Sequence, residues 1–238
     1  MISLLAMYWP ILFILAHIPM PKVVRQAGMS DKTLHFLAYL GLVFLLWGAL
    51  RPCQKVDWRK AAAWWVLGAA ACYGVADEWL QGLWGSRSPD PRDFLADMAG
   101  AVTSLALLSV LDFWLAAAVA TAAGLLMLNC LTQADLTHIL PFSNAVLHFL
   151  GYGLFAALYL QTRSQRRQAS RHRRWVDDLY ALVAPLTLLA WVKLMAWTVG
   201  KRPSLPEVIA ALGGILVALG AFSLLTQGRR HPPGPAST

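Results

Sequence analysis

Residues 76–100 read ADEWLQGLWGSRSPDPRDFLADMAG, and they set Asp77, Glu78, Asp93 and Asp97 against two strongly apolar segments. The surroundings make those acids costly. Of the 238 residues, 58% are hydrophobic and 13% charged, and eleven are Trp, a composition that fits a membrane protein better than a water-soluble globule. An unpaired acid near a bilayer centre costs roughly 2.5–3.5 kcal/mol on insertion scales, so acids in such segments face the bundle interior and find partners there.

A bilayer core takes about 20 apolar residues per helix. Eight segments qualify, at about 2–20, 33–50, 61–82, 94–111, 113–131, 144–161, 178–199 and 206–226. Backbone groups cannot stay unpaired in lipid, so the expected fold class is all-α, a polytopic transmembrane helical bundle. The fourth and fifth segments are divided only by Asp112, which leaves either one long helix or a very tight turn. Pro10 and Pro185 fall inside helices and are expected to kink them. The first 21 residues have no basic leader and read as a retained helix, while the Pro-rich tail 228–238 reads as disordered.

The formal charge of +8 sits in short connectors between apolar runs rather than in one stripe, which argues against a nucleic-acid partner. Topology accounts for it. With the N-terminus inside, the inner connectors and tail hold twelve Lys and Arg and the outer connectors seven, which places both termini in the cytoplasm and the chain in the cytoplasmic membrane. The Arg-rich connector 163–174 falls on the inner side, where anionic lipid headgroups lie. Cys53, Cys72 and Cys130 show neither disulfide nor zinc spacing.

Laid against itself, the chain repeats. SDKTLHFLAYLGLVF at 30–44 matches SNAVLHFLGYGLFAA at 143–157 at an offset of 113, pairing His35 with His148 and Tyr39 with Tyr152. EWLQGLWGSR then pairs with KLMAWTVGKR, and DFLADMAG with EVIAALGG, at offsets of 114 to 115. Two four-helix repeats are therefore expected, 1–111 and 112–227, in the same orientation because four spans return the chain to its starting side.

The first repeat carries the polar chemistry. Asp31, His35 and Tyr39 are spaced by four on the second helix; Asp77, Glu78 and Gln81 share a face of the third; Asp93 and Asp97 share a face of the fourth, with Gly100 close to the stripe. In the topology above, His35, Glu78 and Asp97 lie about one to two turns below the outer surface, so the three faces meet at one level. The expected pocket is lined by Asp31, His35, Tyr39, Asp77, Glu78, Gln81, Arg87, Asp93 and Asp97, with Arg87 and Arg92 at its rim. In the second repeat Asp31 becomes Asn144, Glu78 becomes Lys193, Gln81 becomes Ala196, Asp93 becomes Glu207 and Asp97 becomes Ala211, a degenerate copy in which Lys193 is expected to pair with Glu207.

At these residues the first half resembles the VanZ-like family of bacterial membrane proteins. The shared pattern is Asp31, Lys32 and His35 at a helix start, then Asp77, Glu78 and Gln81, Arg87 in the next loop, and Asp93 with Gly100 beyond; Asp97 departs from it, standing where the family has Asn. The resemblance covers residues 1–111 and implies a cell-envelope protein of a family linked to resistance to the glycopeptide teicoplanin. It directs attention to the outer face of the membrane, where glycopeptides meet lipid-linked cell-wall precursors.

The expected partners are membrane lipids and, in the outer pocket, a lipid-linked glycan, headgroup or glycopeptide, with no cofactor and no metal. A polar network that only fixes helix packing remains open beside this reading. An intramembrane enzyme with His35 as base and Glu78 or Asp93 as acid, or with the acids on a divalent cation, is an alternative that lacks an evident nucleophile. A transporter is a weaker one, because the polar residues lie near one face rather than along a route across.

Overall fold

The computed structural model describes residues 1–17, 30–83, 90–131, 142–168 and 174–228. Among them are eight α-helices and no strand: α1 (Ile2–His17), α2 (Asp31–Leu50), α3 (Ala61–Leu83), α4 (Pro91–Val110), α5 (Phe113–Leu126), α6 (Ser143–Gln168), α7 (Arg174–Thr198) and α8 (Leu205–Gly228). A π-helical turn, Met127–Leu131, continues α5. Arg87, most of the expected tail and the inner connector beyond Gln168 lie outside the described residues.

Five helices are long and apolar enough to cross a membrane: α2, α4, and most of α6, α7 and α8. The outward surface suits that role, since Trp64, Trp65, Val102, Val110, Leu150, Trp191, Leu216 and Leu225 are all exposed. α1 and α5 are apolar but shorter. α3 has length enough, at 23 residues, but its apolar run stops at Asp77 and its last turns carry Glu78 and Gln81.

Between α4 and α5 the chain makes the tight turn, not one long helix. Leu111 takes an extended conformation (φ −99°, ψ 154°) and its N–H closes α4 on the Leu107 carbonyl, after which the Asp112 carbonyl receives the Ala116 N–H and starts α5. Both Pro10 and Pro185 lie within helices that continue past them.

The helices group into two compact units, one of α1 to α4 with the start of α5, the other of the end of α5 with α6 to α8. In the first unit α2 and α4 touch backbone to backbone. A Cβ on Gly100 would strike the Phe36 carbonyl oxygen and lie 2.9 Å from the Leu40 nitrogen, so only glycine permits this crossing. Beyond it toward the far end pack Val43 and Trp47 of α2, Ala101, Leu105 and Leu108 of α4, and Ala63, Val66 and Ala70 of α3. α1 joins through Tyr8, whose hydroxyl donates to the Ala38 carbonyl at 2.9 Å. At that far end the α2–α3 connector is held by Trp47 Nε1–H on the Gln54 carbonyl and Val56 N–H on the Leu108 carbonyl, at 2.7 and 3.0 Å.

The second unit repeats the central contact with its own residues. A Cβ on Gly214 of α8 would strike the Phe149 carbonyl oxygen of α6 and lie 3.2 Å from the Gly153 nitrogen. Tyr152, Ala156, Val192, Ala196, Ala211 and Ile215 fill the core beside it. α7 ends on Gly200, whose φ of 87° lets the Lys201 N–H reach back to the Ala196 carbonyl.

Candidate functional site

The polar residues of the first unit collect where α1 and α3 end and where α2 and α4 begin. The helix starts are built for it. Ser30 caps α2 by accepting from the Thr33 N–H, with Asp31 in the favourable first turn. Asp90 caps α4 by accepting from the Arg92 N–H at 2.9 Å, with Pro91 in the first helical position.

His35 is the centre of the cluster. Its Nδ1–H donates to Asp97 Oδ1 at 2.9 Å, both groups being buried, and Asp97 wholly so. The other ring nitrogen, Nε2, faces Asp31 Oδ1 at 3.8 Å and Asp93 Oδ2 at 3.9 Å. Asp93 divides its oxygens, since Oδ1 accepts from Lys32 Nζ at 3.1 Å, and the same ammonium donates to Asp90 Oδ2 at 3.0 Å. Asp90 then returns its backbone N–H to Glu78 Oε2 at 2.9 Å, so α2, α3 and α4 are joined through one chain of polar contacts. The Arg92 N–H and the Lys32 ammonium hold the Asp90 carboxyl below the usual carboxylate range.

Nearer α1, Gln81 Nε2–H donates to Asp77 Oδ2 at 3.0 Å, and Asp77 Oδ1 stands 3.8 Å from His17 Nδ1, whose N–H bonds the Phe13 carbonyl. Tyr39 is buried one turn below His35, with its ring 5.9 Å from that of Tyr73. Several buried polar atoms have no hydrogen-bond partner among the described residues: the Tyr39 hydroxyl, Glu78 Oε1, Asp77 Oδ1 and Asp97 Oδ2. Native interiors leave few such atoms.

Of the nine residues expected to line the pocket, Asp31, His35, Asp93 and Asp97 meet directly, Glu78 joins them through Asp90, and Asp77 with Gln81 forms an adjoining pair next to His17. Tyr39 borders the cluster from below, and Arg87 falls outside the described residues. Arg92 is exposed and enters through its backbone N–H rather than its side chain. Three contributors were not in the expected set. Asp90 was legible as an Asp-Pro helix start, whereas Lys32 and Tyr73 reach their partners only through the fold.

In the second unit, Lys193 Nζ donates to Glu207 Oε2 at 2.6 Å, as the sequence leads one to expect, and lies 3.2 Å from His148 Nε2. His148 Nε2 is itself 3.4 Å from the same Glu207 oxygen, and the Tyr152 ring stacks against the imidazole at 5.8 Å. The ammonium thus closes a triangle with an imidazole nitrogen and a carboxylate oxygen that are themselves in contact.

An imidazole fixed by Asp97 and turned toward two carboxylates can accept a proton, receive a hydrogen-bond donor or take a cation. Carboxylates with unused oxygens accept strongly from hydroxyl and amino groups. No family model, curated protein or solved structure matches the chain.

Proposed function

We propose that the chain is a VanZ-like protein of the bacterial cytoplasmic membrane, built of two four-helix repeats, that holds the polar head of a lipid-linked glycan or glycopeptide in the outward-facing pocket of its first repeat. Glycan hydroxyls and amino groups suit the spare oxygens of Asp77, Glu78 and Asp97, while Lys32, Arg87 and Arg92 suit a phosphate or carboxylate at the rim. The paired glycine crossings support the repeat: Gly100 meets Phe36 as Gly214 meets Phe149, at the offsets of 113 and 114 read from sequence. The observation that carries the site is the excess of acids around His35, where Lys32 answers Asp90 and Asp93 while Asp31 and Asp97 remain beside the ring, against the single Lys193–Glu207 pair around His148. With both termini cytoplasmic, the polar ends of α2, α3 and α4 face outward.

Native mass spectrometry of gently extracted protein tests this. Wild type is expected to carry a lipid-linked adduct that a Glu78→Gln, Arg87→Ala variant of equal abundance lacks; equal adducts on both, or none on either, would return the cluster to the role of scaffold. An intramembrane acid/base enzyme is the second reading, favoured by the His35–Asp97 contact, which orients a base as such enzymes require. Turnover of the identified adduct by wild type, abolished in His35→Gln, would move the assignment there.

A further inference from the structure

We infer that the α2–α3 connector, residues 51–60, binds the phosphate headgroup of an anionic phospholipid, with the first turn of α3 contributing. The connector lies at the end of the first unit away from the polar cluster. Its sequence RPCQKVDWRK carries four basic residues and one acid, and all of it is exposed except buried Val56 and half-buried Trp58. α2 ends at Leu50 and α4 at Val110, both exposed apolar residues, so the connector begins where the lipid-suited surface stops. On the orientation proposed above it meets the inner leaflet.

The backbone there is fixed. The Arg51 carbonyl accepts from the Gln54 N–H at 3.1 Å and the Asp57 carbonyl from the Lys60 N–H at 3.0 Å, which closes two turns. Between them Val56 is buried and tied to Leu108 of α4. A surface held in place has less freedom to lose when a headgroup binds. The Trp58 and Trp64 rings meet edge to face at 5.8 Å, and Trp64 Nε1–H donates to the Trp58 carbonyl at 2.9 Å. With Trp65, which is 77% exposed, they form an indole cluster of the kind that anchors at a membrane–water interface.

The charges of the connector divide into spent and available. Lys55 Nζ donates to the Val110 carbonyl at 2.9 Å and lies 3.4 Å from Asp112. Asp57 accepts from the Arg59 N–H at 3.1 Å with one oxygen, and the other is 3.8 Å from Lys60 Nζ. Arg51 and Arg59 form no ion pair among the described residues, and the Lys60 side chain is 75% exposed. Three cations therefore face one acid. α3 adds to the positive side, because its first turn has no acid and the N–H groups of Ala61 to Ala63 have no acceptor within the helix. A zwitterionic headgroup would bring an ammonium against Arg59 and Lys60, whereas phosphatidylglycerol offers the phosphate alone.

The inference needs the membrane but not the outer pocket, so the two are tested apart. Full-length protein in detergent is titrated with phosphatidylglycerol and with phosphatidylcholine of the same chains, and bound lipids are counted by native mass spectrometry. Wild type is expected to hold phosphatidylglycerol in preference. Each basic residue near an anionic surface is worth roughly fivefold in affinity, so Arg59→Gln with Lys60→Gln should weaken one site about 25-fold and leave one phosphatidylglycerol fewer per chain. Ala61→Asp should lose the same lipid without lowering the melting temperature, since an acid in the first turn favours the helix. Lys55→Gln, whose ammonium is already engaged, and Glu78→Gln, at the opposite end of the unit, should keep it. No preference of wild type for phosphatidylglycerol, or an unchanged count in both the Arg59→Gln, Lys60→Gln and the Ala61→Asp variants, would overturn the site whatever the outer pocket holds.

Discussion

The two units share one kind of helix crossing and differ in how many acids they gather beside it. In both, a glycine lets two helices meet at the backbone, a buried histidine lies next to the crossing, and a buried tyrosine follows one turn later. Around His148, one lysine answers one glutamate at 2.6 Å. Around His35, Asp31, Asp93 and Asp97 converge, with Glu78 bound to the Asp90 N–H, and one lysine, Lys32, answers only Asp93 and Asp90. The frame of the second unit therefore stands without such a cluster, which makes the acids of the first unit an addition to the frame rather than a condition of it. Buried like charges add no stability by themselves, and the binding role proposed above would account for them.

The comparison can be broken most forcefully at the second unit. Glu207→Gln would leave Lys193 buried without its carboxylate, and should destabilise the protein by about 3 kcal/mol, measured by unfolding in mixed micelles. Lys193→Met combined with Glu207→Gln should recover most of that loss, because apolar replacement of a buried pair is often neutral. A smaller but matched effect is expected at the crossings. Gly100→Ala and Gly214→Ala should each cost about 2 kcal/mol by forcing a Cβ into a carbonyl oxygen, and unequal costs would mean that the two crossings are not equivalent.

Removing an acid from the first unit should act differently. Glu78→Gln keeps an acceptor for the Asp90 N–H and relieves repulsion, so stability should change by less than about 1 kcal/mol while the bound adduct is lost. A loss as large as that of Glu207→Gln would show that Glu78 holds the frame together. The smallest effect concerns Asp90. Its carboxyl is depressed in the folded state by the Arg92 N–H and Lys32, so its contribution is complete above the ordinary carboxylate range and disappears as pH falls through the depressed value. The melting difference between wild type and Asp90→Asn should be constant near neutral pH and vanish in strong acid; a difference that persisted there would assign the contribution to the cap geometry alone.

Much of this was legible in the sequence because lipid allows few choices. Apolar runs located the eight helices of the described residues, but they located their apolar parts, and the helices extend further. α4 begins at Pro91 rather than at 94 because its cap is Asp90, and α6 continues to Gln168, well beyond the apolar run ending near 161. The turn at Leu111 was undecided because no glycine or proline marks it; an ordinary leucine in extended conformation ends the helix. Spacing by four placed His35 with Asp31, and Asp93 with Asp97, on common faces. It could not show that Lys32 would reach 58 residues along the chain to Asp90, or that His17 would face Asp77, since those contacts depend on how the helices cross.

The most direct test is to give the first unit the residues of the second. A variant with Asp31→Asn, Lys32→Ala, Glu78→Lys, Gln81→Ala, Asp93→Glu and Asp97→Ala copies the His148 environment onto His35, and its thermal unfolding in detergent is the measurement. If the acids are an addition to a self-sufficient frame, the variant should fold and melt at or above the wild-type temperature. Failure to fold, or a marked fall in melting temperature, would contradict that claim and make the acids part of what holds α2, α3 and α4 together.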